Sequence, residues 1–387
     1  MKKSLLCAAL IAGFAGAATA ETSVMLYGRV DGGVGYQQFK GTDPSTGESF
    51  KGTNTGMANG IMGGNRWGLK GSEDLGDGLT AVFVLENGFN LNSGTQGSSG
   101  RMFDRQATVG LKSSAWGQLD FGRQTSVSSK YLSGIASPFG ADWGQASVGS
   151  AFSAINSVRY DNMVLYQTPS FSGLQFGIGY SFNASGHQEF KTSGGDEPNT
   201  RAWTTALRYA NGPVELGLSY DQFTSPEETP AVAGVSDVSV KSWNLAGAFD
   251  FEVVKVHAGL GQTRDGWFKT VSALRAYGPG IDAPRDGNDT WANEGFKVNS
   301  YTLGLSAPVG ANGKILASWV LADAKNAGTR AGWAGRDLEK QQTYSLGYTY
   351  KLSKRTNLYA LGSYARHVNF ADDLKATQFA VGLRHQF

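Results

Sequence analysis

The side chains that most often carry covalent or metal chemistry are few and dispersed in this sequence. Its four histidines, His187, His257, His367 and His385, are far apart, and none sits in an H-E-x-x-H pattern. There is no G-x-S-x-G elbow, no Walker loop and no complete G-x-G-x-x-G. The one cysteine is Cys7. These observations predict no catalytic residue, no metal site and no cofactor. The chemistry that does have a pattern is fixed charge. Arg29, Arg66, Arg208, Lys255 and Arg384 each fall on the face of an alternating segment opposite its apolar residues, and Lys70 and Lys112 do so nearer to short turns. Basic and acidic side chains facing one another across a narrow wet passage create a transverse field, and rings of one sign select ions.

Such charges need strands to hold them, and the chain repeats one strand pattern. About ten residues alternate apolar with polar or small, and a connection follows, as expected for membrane strands with a lipid face and a lumen face. Leu26, Val30, Val34 and Tyr36 share one face of the first strand, with Tyr27, Arg29 and Asp31 on the other. Over 174–182 the lipid set is Leu174, Phe176, Ile178, Tyr180 and Phe182, against Gln175, Gly177, Gly179 and Ser181. Over 378–387 Phe379, Val381, Leu383, His385 and Phe387 alternate with Gln378, Ala380, Gly382, Arg384 and Gln386. Tyr27, Phe89, Tyr166, Tyr180, Tyr209, Tyr220 and Tyr350 fall near strand ends, where interface girdles form. Short connections (71–78, 113–117, 211–213, 351–355) contrast with long ones near 38–60, 125–157, 183–200, 224–240, 264–296 and 325–340. The spacing predicts about sixteen antiparallel strands, enough to enclose an aqueous channel.

The ends and the composition fit a chain exported to a membrane. Lys2 and Lys3 precede an apolar stretch, and Ala18-Thr19-Ala20 is a small-x-small cleavage site, so residues 1–20 read as a cleaved signal peptide and 21–387 as the barrel. Cleavage removes Cys7 and two lysines, leaving 32 basic against 32 acidic residues. A neutral balance gives no reason to expect a nucleic-acid partner. With 54 glycines and no later apolar run of about 18 residues, a membrane location requires a closed barrel, which alone satisfies every backbone group in lipid without helices.

Five strings in order resemble the general porins of Gram-negative bacteria, most like the beta-proteobacterial branch. They are residues 24–31 (VMLYGRVD), 65–76 (NRWGLKGSEDLG), 121–124 (FGRQ), 166–173 (YQTPSFSG) and 381–387 (VGLRHQF). The resemblance spans nearly the whole mature chain. It implies an all-β, 16-stranded transmembrane barrel in the outer membrane, assembled as a homotrimer, with the third outer loop (125–157) folded inward. It also implies contact with outer-membrane lipid and lipopolysaccharide, and recognition by the barrel assembly machinery through the C-terminal strand ending at Phe387. The implied function is passive diffusion of small hydrophilic solutes and ions.

The family sets a basic wall cluster against acids on the inward loop. Position by position, Arg29, Arg66 and Arg123 match basic wall sites, Glu86 matches an acidic wall site, and residues 137–142 (SPFGAD) match the loop tip. Arg384 joins the lining by its parity. Arg123 shares parity with Leu119 and Phe121, so its expected place is at a strand end, where alternation no longer fixes direction. Two departures thin the field. The acid normally between proline and phenylalanine is missing, leaving Asp142 as the one carboxylate between Gln124 and Val158; and a wall site that is often arginine is Gln167. The acidic half loses more, so a weak anion preference is expected. Arg159 and Asp161 fit a lumen face less cleanly, because Met163 and Leu165 follow on the same side.

Three other functions compete. A barrel hydrolase needs a serine, a histidine and a polar partner at one edge, and no histidine falls near a suitable serine. A substrate-specific channel needs a run of lumen aromatics, which is not seen. A surface receptor or adhesin would use loops such as 264–296, with Trp267, Tyr277, Asp282, Asp286 and Trp291.

Overall fold

The computed structural model describes residues 23–42, 47–195, 197–226, 237–274, 291–329 and 337–387. The signal peptide and Tyr277, Asp282 and Asp286 lie outside these residues. The strands are β1 (Ser23–Thr42), β2 (Ser49–Asn59), β3 (Arg66–Gly76), β4 (Leu79–Gly88), β5 (Gln106–Ser113), β6 (Gly117–Thr125), β7 (Arg159–Tyr160), β8 (Met163–Gln167) and β9 (Leu174–Ser181). They continue as β10 (Arg201–Asn211), β11 (Val214–Thr224), β12 (Ser239–Asp250), β13 (Lys255–Trp267), β14 (Trp291–Val309), β15 (Gly313–Asn326), β16 (Gln341–Lys351), β17 (Thr356–Arg366) and β18 (Lys375–Gln386).

These 18 segments form one antiparallel sheet closed by β1 pairing with β18 from Arg29↔Gln386 to Lys40↔Lys375. They make sixteen staves. The other edge of β1 pairs with β3 over 23–29 and with β2 over 32–42, so β2 and β3 lie end to end as one stave. Likewise β7 and β8 both pair with β6. The break between them is at Asp161-Asn162, where Asn162 has a φ of 48°. Closure leaves no strand edge in lipid. No described helix is long and apolar enough to cross a membrane.

Alternation sets the two faces. Leu174, Phe176 and Ile178 are exposed outward while Gly177, Gly179 and Ser181 are buried. On β11 and β12, Leu216, Leu218, Trp243 and Leu245 point out, and Ser219, Asp221, Ser242 and Asn244 point in. Tyr180, Phe182 and Trp203 form an outer aromatic cluster at 4.5–4.9 Å.

Three sequence expectations need correction. The stretch 38–60 is largely a paired hairpin, β1 continuing to Thr42 and β2 returning from Ser49; β2 is held by backbone pairing without an apolar row of its own, so its composition resembles a loop. The turn expected over 71–78 shrinks to Asp77-Gly78, both at positive φ (51° and 74°), the geometry of a tight hairpin. Glu73 and Asp74 pair with Ala81 and Thr80. Tyr27 is not a girdle residue: its hydroxyl donates to Glu86 Oε2 at 3.1 Å and Lys70 Nζ lies 5.4 Å from its ring centre.

The main buried apolar cluster is not a barrel core. It lies between the wall and residues 127–155. Helix α1 (Val127–Ala136) is capped by Ser126, whose Oγ accepts the Ser129 N–H at 3.2 Å. It packs on wall positions opposite in parity to the exposed apolar rows. There a Cβ on Gly177 would sit 2.4 Å from Val127, one on Gly217 2.9 Å from Leu132, and one on Gly304 2.5 Å from Pro138. Glycine on several staves is thus the seat of this segment. The same packing explains Met163 and Leu165, both on the inner face and fully buried.

Candidate functional site: charges lining the lumen

Four charge groups occupy the wall, and their local structure explains each. The first surrounds Asp31, which is 0% exposed on β1. Tyr359 Oη donates to Asp31 Oδ1 at 2.6 Å, the Gly63 N–H donates to Oδ2 at 2.7 Å, and the Asp31 N–H donates to Asn65 Oδ1 at 2.5 Å. These bonds hold residues 60–65 against the wall. Arg384 is the direct cross-strand partner of Asp31, and its Nε donates to Asn357 Oδ1 at 3.1 Å. Arg29 projects beside Gly63, where an added Cβ would fall 1.9 Å from its Nη1. Its nearest acid is Asp142, at 3.7 Å. That separation is an ion pair without a hydrogen bond. Asp142 is 46% exposed against 18% for Arg29, so water screens the acid, while Arg29 Nη1 is buried without a hydrogen-bond acceptor and its charge is only partly balanced.

The second group is Arg66, Arg105 and Glu86. Arg105 Nε donates to Glu86 Oε1 at 2.6 Å, Arg66 Nη1 lies 3.7 Å from the same oxygen, and Arg66 Nε donates to the Gly64 carbonyl at 3.0 Å. Arg29 and Arg66 are direct neighbours across the β1–β3 pair. Like charges directly opposite cost stability, so the pairing is tolerated by Glu86 and Asp142 on its flanks. Arg159 is within electrostatic reach of Arg66 and Arg105. Arg29, Arg66, Arg105, Arg159 and Arg384 thus outnumber Asp31, Glu86 and Asp142.

The third group neutralises Arg123 locally, although it remains within electrostatic reach of Arg159. Its Nη1 donates to Asp161 Oδ1 at 2.6 Å and its Nε to the Asp104 carbonyl at 2.6 Å, while Arg101 takes Asp161 bidentately at 2.7 and 2.9 Å. Arg123 is two residues from the end of β6, and Gly122 beside it has a φ of 116°, with a Cβ there falling 2.1 Å from the Ala107 carbonyl. The register runs through Gly122 without a shift, and Gln124 keeps the inward parity of Gln118 and Asp120, so Arg123 stays on the parity of Phe121 and its guanidinium reaches Asp161 from near the strand end. The fourth group holds Gln167, whose Oε1 accepts from Lys130 Nζ at 3.3 Å and whose Nε2 donates to Tyr131 Oη at 3.2 Å.

The structure therefore brings Arg29, Arg66, Glu86, Asp142 and Arg384 together, pairs Arg123 with Asp161 at the edge of the same field, within reach of Arg159, and places Gln167 beside Lys130. Sequence reasoning missed Arg105, in a stretch without periodicity, and Lys130. It placed Asp31 on the right face without giving it a role; its position two residues from Arg29 was the available signal. Trp267 and Trp291 face each other across β13–β14 and pack on Phe296 at 6.5 and 5.1 Å. At the closing seam the Phe387 N–H donates to the Gly28 carbonyl at 3.2 Å, and the Gly28 N–H donates back at 3.1 Å. The Phe387 ring covers Gly28, where a Cβ would lie 2.4 Å from it.

The Gram-negative porin family profile matches residues 7–369. An outer membrane porin protein of Bordetella pertussis is 49% identical over 405 residues, covering 100% of both chains. Outer membrane porin protein 32 of Delftia acidovorans is 32% identical, again over 100% of both. Among solved structures, the anion-selective porin from Comamonas acidovorans superposes with a TM-score of 0.68 at 27% identity, covering 95% of this chain and 100% of that one. With a closed sixteen-stave barrel and a charged inner face, this chain belongs to the Gram-negative porin family and is an outer-membrane channel protein.

Proposed function

We propose that this porin is a general diffusion channel for small hydrophilic solutes and ions, with a weak preference for anions set where residues 126–158 narrow the lumen. The observation that carries the reading is the charge imbalance there. The wall presents Arg29, Arg66, Arg105, Arg159 and Arg384 against its own Asp31 and Glu86, and the segment facing them adds a single carboxylate, Asp142, held loosely at 3.7 Å from Arg29. The likeness to a porin described as anion-selective supports the same sign. Screening over a Debye length of about 8 Å at physiological salt keeps the preference modest in a wet lumen.

On this reading residues 1–20 direct export and are removed, and Phe387 closes the seam and marks the last strand for the assembly machinery. Three copies associate in lipid and lipopolysaccharide, each keeping its own lumen. No covalent chemistry is assigned: His257 Nδ1 faces the Ile135 carbonyl at 3.0 Å and His385 Nδ1 faces Thr356 Oγ1 at 2.8 Å, neither arranged as a base–nucleophile–acid set. Liposome swelling tests the function. Uncharged sugars should enter at rates graded by size and indifferent to stereochemistry, with a small organic anion faster than a cation of equal size. Rates that discriminate between sugars of one size would indicate a dedicated channel instead.

A further inference from the structure

We propose that Lys130 on helix α1 is a selectivity-determining residue, a second cationic station in the lumen that supplies from the inward segment the charge absent at wall position 167. The inference deepens the anion-preferring reading and rests on it.

The placement follows from the helix. Val127, Tyr131, Leu132, Ile135 and Ala136 are buried against the wall. A helix fixed along that stripe turns positions 130, 133 and 134 the other way. Ser133 and Gly134 there are uncharged, so Lys130 is the one charge on this face. Its side chain is exposed to the lumen, although the surrounding wall desolvates the ammonium and pulls its pKa down to about 8, which leaves it mostly charged at neutral pH. Its ammonium donates to Gln124 Oε1 at 3.0 Å and to Gln167 Oε1 at 3.3 Å. Both acceptors are neutral amides. They fix the position of the charge without cancelling it, whereas Arg66, Arg105 and Arg123 are each paired with a carboxylate. Among the described residues Lys130 forms no ion pair. The carboxylate within its electrostatic reach, Asp120, is buried, and both its oxygens accept from Gln118 Nε2 at 2.9 Å. Gln167 pairs with Gln118 across β6–β8, so the station lies by β6 and β8, away from the Arg29–Asp142 contact. An anion passing through meets two separated cationic regions.

The test is the chloride-to-potassium permeability ratio of the reconstituted full-length porin, from zero-current potentials in a dilute KCl gradient. Wild type, Lys130→Gln, Lys130→Glu and the double variant Lys130→Gln/Gln167→Arg are compared, with Arg66→Glu as the reference for the wall. A unit charge several ångströms from the ion path in water changes the ratio by about twofold at low salt. Lys130→Gln should lower the ratio by about that factor, Lys130→Glu should lower it further, and the double variant should recover wild-type selectivity. Heat-modifiable migration of each variant reports that the barrel is folded. An anion-preferring wild type that responds to Arg66→Glu but not to either Lys130 variant overturns the proposal alone. A wild type without anion preference overturns the underlying reading and the proposal with it.

Discussion

Asp31→Ala and Asp31→Asn should part company, because the buried carboxylate both holds residues 60–65 and contributes charge. In Asp31→Ala the Tyr359 hydroxyl and the Gly63 N–H, now bound at 2.6 and 2.7 Å, lose their acceptor. Each buried orphan costs about 1–3 kcal/mol, so the pair costs about 2–6 kcal/mol. The remaining ties of that segment, such as Asn65 Nδ2 to Asn59 Oδ1 at 2.7 Å and the Gly60 N–H to the Asp31 carbonyl at 3.0 Å, are ordinary hydrogen bonds worth about 1 kcal/mol each. The segment should therefore detach, releasing Arg29 from its contact with Gly63. In Asp31→Asn the amide oxygen can accept from Gly63 while the amide group donates to Tyr359 Oη, so the cost is about 1 kcal/mol. What changes is charge, since Arg29 and Arg384 lose a nearby acid. Single-channel recording separates the two. Asp31→Ala should show raised open-channel noise, higher conductance and a lower unfolding temperature; Asp31→Asn should keep wild-type noise and gain anion preference. Indistinguishable noise and thermal stability in the two variants would refute this account of Asp31.

Two further outcomes follow from the packing. Gly177→Leu places side-chain atoms where Val127 already stands, an overpacking worth about 1–3 kcal/mol that α1 relieves by leaving the wall; conductance should rise, and an unchanged conductance would show that the segment does not narrow the lumen. Deleting Phe387 removes the last backbone pair with Gly28 and should reduce the membrane-inserted fraction in cells far more than the conductance of the molecules that do insert; wild-type amounts of folded barrel would contradict it.

The wall was legible in the sequence because lipid imposes a rule on every second residue, and rows such as Leu174, Phe176 and Ile178 obey it. Where a strand is held by pairing alone the rule is silent: β2, mostly polar or small, reads as loop although it is paired along its length. The lumen face follows a different rule. It is polar where water meets it and apolar or glycine where another part of the chain covers it, so Met163 and Leu165 looked anomalous until they were seen to belong to the buried cluster beneath the inward segment. The site was half legible for the same reason. Parity found Arg29, Arg66 and Arg384. It could not show that Asp161 binds Arg123, that Arg105 reaches Glu86, or that Lys130 stands beside Gln167, since each contact joins segments whose proximity only the closed barrel creates.

The central claim, a positive constriction made by wall arginines against a single loop carboxylate, is tested most directly by the zero-current potential across a bilayer in a KCl gradient. Wild type should prefer chloride, and the preference should grow as both solutions are diluted and screening weakens. Arg66→Glu, which sets an acid opposite Arg29 across the β1–β3 pair, should move the potential toward cation preference. A wild-type channel that is clearly cation-selective at low salt, with no response to Arg66→Glu, would contradict the account.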